Sequence, residues 1–391
     1  MPLFEPLRVL MDASVRIGWR RSATWQTLDR SLNLLGPVLI WWLAFLSFAR
    51  AGDDFSYDYI HYIGYFKEMM AMGGGDLVEN IADRLPLPYL YIPPTGLFEL
   101  GFALPAWALL KLTGDAAVTY ALIAATSLAL RCAVMRRMGT PWPLVLLINV
   151  YAATLFEANA VRLGCALTVL MLGLARFQRG ERGGWTWTIL FGAAALHLQV
   201  LLFSVTFLAL FVLLRTVRPT QIRLLVIALL LIAVTGVAVL AASALGAGAA
   251  SKLEDYADTT SAATGLTIVS VLGLAVLGIA GLQIIATTSL ERHETRTPPD
   301  LWTLIVLSTI PALVFLIFAT SLGALGDRIW QLAFTLLAAT AFIQGGSSMR
   351  LQRQLIVITL LVSNLNVIVR YPLSNLFHPL VPYTHIVPQL F

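Results

Sequence analysis

Residues 185–214 read WTWTILFGAAALHLQVLLFSVTFLALFVLL and contain no Asp, Glu, Lys or Arg. Because Arg215 follows directly, this stretch predicts a hairpin of two short membrane helices whose turn lies near His197. Similar apolar runs recur along the chain and predict spans at about 33–49, 96–112, 116–135, 142–156, 158–177, 185–199, 200–214, 222–246, 265–288, 301–321, 328–347 and 354–370. We therefore predict an all-α, polytopic integral membrane protein with roughly 10–14 transmembrane helices in one membrane domain covering residues 1–391.

The composition supports a protein that is solvated by lipid. Hydrophobic residues make up 58% of the chain and charged residues 12%, which is too little polar surface to cover a soluble globule. The 26 Lys and Arg residues exceed the 21 Asp and Glu residues, but the arginines occur in short clusters between apolar runs. Such clusters are typical of a positive-inside topology signal rather than of a basic stripe. We therefore expect no nucleic-acid partner.

The basic junctions between apolar runs predict the orientation of the chain. Arginines mark the junctions at 136–137, 176–182, 215–223, 292–296 and 350–353, which are predicted to face the cytoplasm. The intervening junctions and the tail are then external, at 157–162, 197–199, 247–264, 327–328 and 371–391. Residues 1–31 are predicted to form a cytoplasmic or interfacial amphipathic segment.

The N-terminal third conflicts with this alternation. Residues 50–95 contain the longest hydrophilic stretch and are predicted to be an external loop, irregular over its later part. An internal N-terminus followed by three spans up to residue 135 would place Arg136 and Arg137 outside. Either a segment between 85 and 135 is therefore re-entrant, or the chain crosses once more there.

Glu157, Asn159 and Arg162 are the strongest candidates for a functional site, because ionisable residues at the start of a membrane span are costly. Asn159 and Arg162 are three residues apart and share a helical face. A guanidinium in a partly dry site can bind a phosphate or pyrophosphate through two hydrogen bonds. Alternatively, Arg162 extends to the membrane interface, or pairs with Glu157 to hold two helices together.

His197 and Gln199 lie at the turn of the predicted hairpin, on the same side as Arg162. A histidine can act as a general base near neutral pH, although a single histidine among alanines and leucines can also be a packing residue. Asp327 and Arg328 interrupt another apolar run, either as part of the site or as an ion pair in a loop.

Carboxylates and aromatic rings alternate in residues 52–62, which include Asp54, Asp58 and Tyr62. This combination is typical of sugar binding, and an interfacial aromatic belt would look the same. The chain contains no P-loop, GxGxxG, HExxH or CxxC motif, so we expect no cofactor and no metal.

Three stretches resemble the EpsG-like family of bacterial exopolysaccharide membrane proteins, which are relatives in role of the Wzy-type O-antigen polymerases. The first has Asp58-Tyr59, Tyr62 and Phe66, followed by Phe98-Glu99-Leu100-Gly101-Phe102. The second and most specific has Asn159-Ala160-Val161-Arg162, a basic turn, and Ala193-Ala194-Ala195-Leu196-His197. The third is Asp327-Arg328-Ile329. The chain has Leu163 where the family often has Gln after the arginine.

The resemblance implies a polysaccharide polymerase in the bacterial inner membrane, with its active site facing the periplasm. Such an enzyme transfers a glycan from a lipid-pyrophosphate carrier to a hydroxyl of a second lipid-linked oligosaccharide, without a metal. His197 is then the expected base, with Glu157 as second choice, and Arg162 and Arg328 would hold the pyrophosphate. The expected substrate-binding residues are Asp54, Asp58, Tyr62, Glu99, Asn159, Gln199 and Asp327.

Membrane lipid and a chain-length regulator protein are candidate partners of such a polymerase. Two other functions stay open on the sequence, namely a transporter or flippase of a lipid-linked saccharide and a membrane acyltransferase. The polar residues gather at one face instead of near mid-membrane, which favours catalysis over transport.

Overall fold

A computed structural model describes residues 23–49, 57–84, 89–92, 96–157, 160–216, 301–318, 323–342 and 350–370. Within these ranges the chain forms twelve α-helices, which are α1 Ala23–Ala49, α2 Tyr57–Ala71, α3 Gly74–Arg84, α4 Leu100–Thr113, α5 Ala116–Arg137, α6 Trp142–Ala152, α7 Val161–Gln178, α8 Gly184–Leu196, α9 Gln199–Thr216, α10 Leu301–Phe318, α11 Gly323–Ala341 and α12 Arg350–Arg370. A π-helical turn, Ala153–Glu157, follows α6. Two short strands, β1 Tyr89–Ile92 and β2 Gly96–Glu99, form an antiparallel hairpin.

The predicted class, a polytopic helical membrane protein, is confirmed. By length and composition, four stretches among the described residues are suited to crossing a membrane, and they are Arg30–Ala49, Ala116–Arg137, Val161–Gln178 and Gln199–Thr216. Shorter apolar helices accompany them. The predicted spans at 222–246 and 265–288 lie outside the described residues.

Helices α1 and α5 pack antiparallel and define the two ends of the helix bundle. Asn33 of α1 accepts a hydrogen bond from Nε of Arg136 at 2.8 Å, near the end of α5. The ring of Phe48, at the other end of α1, lies 6.0 Å from the ring of Tyr120 near the start of α5. We call these the Arg136 end and the Arg162 end, because the Tyr120 hydroxyl donates to the carbonyl of Glu157 just before the helix that carries Arg162.

Helix α4 stays at the Arg162 end, so the span predicted at 96–112 is wrong. Glu99 at its start pairs with Arg162 of α7, while the Thr113 hydroxyl at its last residue lies 2.7 Å from the Thr119 hydroxyl in the first turn of α5. The conflict in the predicted alternation disappears, because a non-crossing segment places Arg136 on the same side as the start of α1.

Much of the stretch predicted as a loop, 50–95, is regular structure. It contains α2, α3 and β1, and the side chain of Asn80 in α3 bonds to both backbone polar groups of Tyr91 in β1, at 2.9 and 3.0 Å. The polar residues of α3 hide its helical character from a hydropathy reading. Residues 85–88, where irregular chain is predicted, lie outside the described part.

Aromatic packing fixes this segment on the Arg162 end. Buried rings of α2, β2, α4 and α5 contact one another, and they are Tyr59, Tyr62, Phe66, Phe98, Phe102 and Tyr120. Aromatic pairs of this kind add about 0.5–1.5 kcal/mol each beyond the area that they bury. The strand that ends at Glu99 is therefore anchored firmly beside α7.

Candidate active site

Glu99 and Arg162 form a partly buried ion pair between the end of β2 and the start of α7. Nη1 of Arg162 donates to Oε2 of Glu99 at 2.5 Å, and the side chains are 16% and 10% exposed. Nε of Arg162 donates to the Tyr62 hydroxyl at 3.0 Å, and the guanidinium carbon lies 4.6 Å from the centre of the Phe98 ring. The ring excludes water on one side, which strengthens the attraction between the two charges.

Glu99 keeps a low pKa despite its burial. Burial by itself raises the pKa of this carboxyl, but the charge of Arg162, then that of His197, and backbone N–H donors outweigh it and leave the pKa below its usual value. The N–H of Leu198 is one of these donors, at 3.2 Å from Oε1. The carboxylate is therefore charged at neutral pH and balances Arg162.

His197 lies in the turn between α8 and α9, next to Glu99. Its Nδ1 is 4.0 Å from Oε1 of Glu99 and accepts a hydrogen bond of 3.3 Å from the backbone N–H of Gln199. Its side chain is 9% exposed. We refer to Glu99, Arg162, His197 and Tyr62 as the Glu99 cluster.

Gly101 allows α4 to approach α8 closely enough for this contact. A Cβ atom on Gly101 would lie 2.7 Å from the carbonyl carbon of Ala195, 2.9 Å from its Cβ and closer still to its carbonyl oxygen. Since backbone atoms at this distance cannot yield easily, only glycine fits here. The close approach brings Glu99, two residues earlier, to the turn that holds His197.

Gln199, the first residue of α9, has a side-chain oxygen, Oε1, that is buried and lacks a hydrogen-bond partner among the described residues. A buried, unsatisfied amide oxygen costs free energy unless a ligand or water donates to it. The hydroxyl of a saccharide is one such donor.

The structure thus brings together five of the predicted site residues, and they are Tyr62, Glu99, Arg162, His197 and Gln199. Asp54 and Asn159 lie outside the described residues. Asp58, Asp327 and Arg328 lie in helices, and at these three positions the structure describes the backbone but not the side chain. Asp327 and Arg328 lie in the first turns of α11 and not in a loop, because this helix begins at Gly323.

Glu157 does not join Arg162, so the alternative pairing of these two residues is wrong. The Glu157 side chain is fully buried, and both of its oxygens accept from Arg131 of α5, at 2.8 and 2.7 Å. Oε1 also accepts from the Ser127 hydroxyl at 3.0 Å, and Nε of Arg131 donates to Asn149 at 2.7 Å. Glu157 is the last residue of the π-helical turn Ala153–Glu157, and the helix of Arg162 begins only at Val161. The carboxylate of Glu157 points into the bundle toward Arg131.

Arg131 is the polar residue that the sequence reasoning missed. It lies within the predicted span 116–135, where an arginine requires an acidic or amide partner. The position of Arg131 deep inside an apolar run therefore indicated a buried ion pair. Glu157, at the boundary of a predicted span, was a candidate for its acidic partner.

Comparison with known families decides the identity of the chain. The EpsG family profile matches residues 34–385, which is most of the sequence. The chain belongs to the EpsG family. The family membership that the three short stretches predicted is thereby confirmed. This EpsG-family protein is a multi-pass membrane protein, and its family is linked to exopolysaccharide biosynthesis. No curated protein and no solved structure matches the chain.

Among the described residues of this EpsG-family protein, no group of three or more Asp, Glu, His or Cys side chains is arranged to hold a metal ion. The chemistry available at the Glu99 cluster is that of a fixed cation, a carboxylate and an imidazole. These groups can bind an anion, accept a proton and stabilise the resulting charge.

Proposed function

We propose that this EpsG-family protein is a polysaccharide polymerase that works without a metal at the Glu99 cluster. It would transfer a glycan from a lipid-pyrophosphate carrier to a hydroxyl of an acceptor lipid-linked repeat unit. The observation that carries the proposal is the meeting of Glu99, Arg162 and His197 from three separate segments, at one end of the membrane domain. We place this end at the periplasmic face of the bacterial cytoplasmic membrane, because the opposite end carries the basic junctions.

The reaction needs no nucleotide, since the pyrophosphate already activates the anomeric carbon of the donor. The acceptor oxygen forms a bond to that carbon, and the bond from the carbon to the pyrophosphate oxygen breaks. The bonding electrons leave with the lipid pyrophosphate, and the proton of the acceptor hydroxyl passes to His197. The protein must therefore stabilise negative charge on the leaving group and positive charge on the imidazole.

Arg162 is suited to stabilising the negative charge on the leaving pyrophosphate. A guanidinium has five N–H donors in one plane, so bonds to Glu99 and Tyr62 are compatible with a further bond to a phosphate oxygen. Glu99, Tyr62 and Phe98 fix the plane in advance, which reduces the reorganisation needed as charge develops. Arg328 would contribute a second cation.

Glu99 and His197 are suited to accepting the proton of the acceptor hydroxyl and to stabilising the positive charge that forms on the imidazole. The hydrogen bond from Gln199 to Nδ1 assigns the proton of the neutral ring to Nε2. For His197 to act as the base, the ring must release the hydrogen bond from Gln199 and carry its proton on Nδ1, where it faces Oε1 of Glu99. The lone pair of Nε2 is then available to the acceptor hydroxyl. Glu99 then stabilises the imidazolium, as carboxylates do in other acid–base pairs. Gln199, Asp54, Asp58, Asn159 and Asp327 would contact the saccharides.

The test is polymer formation by the purified protein from a lipid-pyrophosphate oligosaccharide, with a chelator and without nucleotide. We expect longer chains from the wild type and from the control variant Arg137→Lys, whose exposed arginine lies at the opposite end. Arg162→Lys and His197→Gln should lose on the order of 100-fold in rate, because each removes one group that acts in the transition state.

Two outcomes would overturn the proposal. Wild-type rates from folded Arg162→Lys and His197→Gln would remove the reaction from the Glu99 cluster. Movement of the lipid-linked saccharide across vesicle membranes, without any bond formation from the repeat units supplied, would replace the polymerase with a flippase.

A further inference from the structure

Four arginines and two phenylalanines meet at the Arg136 end, where α7, α8 and α9 come together. We propose that this arginine–phenylalanine cluster binds the phosphate of an anionic lipid head group. Its members are Arg176, Arg179, Arg182, Arg215, Phe177 and Phe211. The site lies at the opposite end of α7 from Arg162 and does not rest on the proposed polymerase function.

Arg182 lies beside two phenylalanine rings that contact each other, and it forms no ion pair with a carboxylate among the described residues. Its guanidinium carbon lies 5.0 Å from the centre of the Phe177 ring and 5.5 Å from that of Phe211. Its Nε is buried and has no hydrogen-bond partner among the residues that the structure describes. A buried N–H of a cation that lacks an acceptor is costly, and an anion would remove that cost.

Arg215 adds a second cation to the same ring. Its guanidinium carbon lies 5.2 Å from the centre of Phe211, in the last turn of α9. Two like charges that share one ring repel each other unless an anion lies near both. A phosphate diester carries one negative charge that is shared by two oxygens, and these two oxygens can accept hydrogen bonds from both guanidinium groups.

The acidic side chain of the α7–α8 turn cannot balance this charge, because it is already occupied. Glu181 pairs with Arg176 at 2.7 Å and with Arg179 at 3.3 Å. Within the described part of this cluster, four arginines therefore face one carboxylate.

The carbonyl groups at the end of α7 do not occupy the arginines either. Gly180 adopts a left-handed conformation with φ of 82°, and its N–H donates to the carbonyl of Phe177 at 3.0 Å. The N–H of Glu181 donates to the carbonyl of Arg176 at 3.1 Å. These backbone bonds cap the helix. Since Arg176 and Arg179 pair with Glu181, Arg182 and Arg215 are the two arginines left for another acceptor within the described part.

The location favours a lipid phosphate over a phosphate from solution. The cluster lies at the ends of α7 and α9, two of the helices suited to spanning the membrane. Trp185, at the start of α8, is 75% exposed, as is usual for tryptophan at a membrane interface. Basic pockets between membrane helices on the cytoplasmic side are known to hold acidic head groups.

The test compares thermal unfolding of the full-length protein with added phosphatidylglycerol, phosphatidylcholine or inorganic phosphate. The variants are Arg182→Gln/Arg215→Gln and the control Arg137→Gln, which removes an exposed arginine at the same end. We expect phosphatidylglycerol to raise the unfolding temperature of the wild type and the control by several degrees, and the double variant to lose at least half of that rise. Phosphatidylcholine and inorganic phosphate should give less than half of it.

The proposal is overturned if the double variant keeps the full rise, or if phosphatidylcholine is as effective as phosphatidylglycerol in the wild type. An equal rise with inorganic phosphate would contradict the lipid as the source of the anion. Native mass spectrometry provides a second measurement that does not depend on unfolding. It should detect a retained anionic phospholipid on the wild type and on Arg137→Gln, and fewer on the double variant.

Discussion

Glu99 carries the negative charge between Arg162 and His197, so its ionisation links the stability of the Glu99 cluster to pH. Its pKa in the folded protein lies below the ordinary value of 4.5. A carboxyl of this kind stabilises the folded state fully above its unfolded pKa, and the contribution is lost as the pH falls through the lower, folded pKa. Glu99→Gln should therefore unfold at a temperature a few degrees below that of the wild type at pH 7.

The difference between Glu99→Gln and the wild type should shrink as the pH is lowered below about 4.5, because the carboxyl of the unfolded wild type then takes up a proton. The rest of the difference is lost once the carboxyl of the folded protein is neutral as well. Thermal unfolding at a series of pH values measures this. Glu181→Gln is a suitable control, since the carboxylate of Glu181 is more exposed and lies at the opposite end. A difference that stays constant down to pH 3 would show that Glu99 acts through its shape and not its charge.

The sequence predicted part of the Glu99 cluster, for a physical reason. Arg162 and His197 are isolated polar residues in apolar surroundings, so hydropathy alone singles them out. Their contact with Glu99 depends on the close approach at Gly101, which leaves no signal in hydropathy. Glu157 was placed beside Arg162 because the two are close in sequence, whereas the π-helical turn points the Glu157 carboxylate to Arg131.

At the scale of the elements, two glycines give a matched test of the contact between α4 and α8. Gly101→Ala would drive a Cβ into the backbone of Ala195, while a Cβ on Gly192 meets nothing within 4 Å. Gly101→Ala should cost about 1–3 kcal/mol of unfolding free energy. Gly192→Ala should be neutral or stabilising by up to about 1 kcal/mol, because alanine favours the helix.

Activity adds a second measurement to this pair of variants. If the contact sets the position of Glu99, polymer formation should fall in Gly101→Ala and stay unchanged in Gly192→Ala. Equal stability and equal activity of the two variants would mean that α4 can move away from α8 without effect.

The ion pair of Arg131 and Glu157 holds α5 against the interrupted segment before α7. Both side chains are fully buried, so removing one partner leaves a charge without compensation. Arg131→Leu should therefore lose about 3–5 kcal/mol of unfolding free energy. The double variant Arg131→Leu/Glu157→Leu should be more stable than Arg131→Leu, because it leaves neither charge. Thermal unfolding in detergent ranks the three proteins, and a double variant less stable than the single would contradict this account.

Element boundaries followed from the sequence where a helix is apolar throughout. The predicted spans at 116–135, 158–177 and 200–214 agree with α5, α7 and α9 to within a few residues. The apolar run at 96–112 failed, because hydropathy cannot tell a crossing helix from one that lies along an end of the bundle. Only long-range contacts, such as Glu99 with Arg162 and Thr113 with Thr119, decide between them.

At the scale of the whole molecule, the described charges divide between the two ends of the bundle. The Arg162 end carries a balanced cluster in which Glu99 neutralises Arg162, whereas arginines outnumber acids at the turn between α7 and α8. A face of α1 between them is exposed and apolar, with Leu34, Val38 and Trp42 on its surface, which fits contact with lipid. The balanced end suits a reaction that exchanges anionic substrates, because a product phosphate is not retained by a large excess of cations.

The arrangement of the two ends can be tested by labelling single cysteines in a protein that lacks Cys132 and Cys165. Val78→Cys in α3 and Leu112→Cys in α4 replace residues that are 66% and 81% exposed, and both belong to the Arg162 end. Arg30→Cys and Arg137→Cys belong to the Arg136 end.

A membrane-impermeant maleimide applied to intact spheroplasts should label Val78→Cys and Leu112→Cys, since the Arg162 end is proposed to face outward. It should leave Arg30→Cys and Arg137→Cys unlabelled until the membrane is opened. Labelling of Val78→Cys and Leu112→Cys from opposite sides would mean that α4 crosses the membrane. Labelling of only Arg30→Cys and Arg137→Cys in intact spheroplasts would reverse the proposed orientation, and the polymerase site would then not face the periplasm.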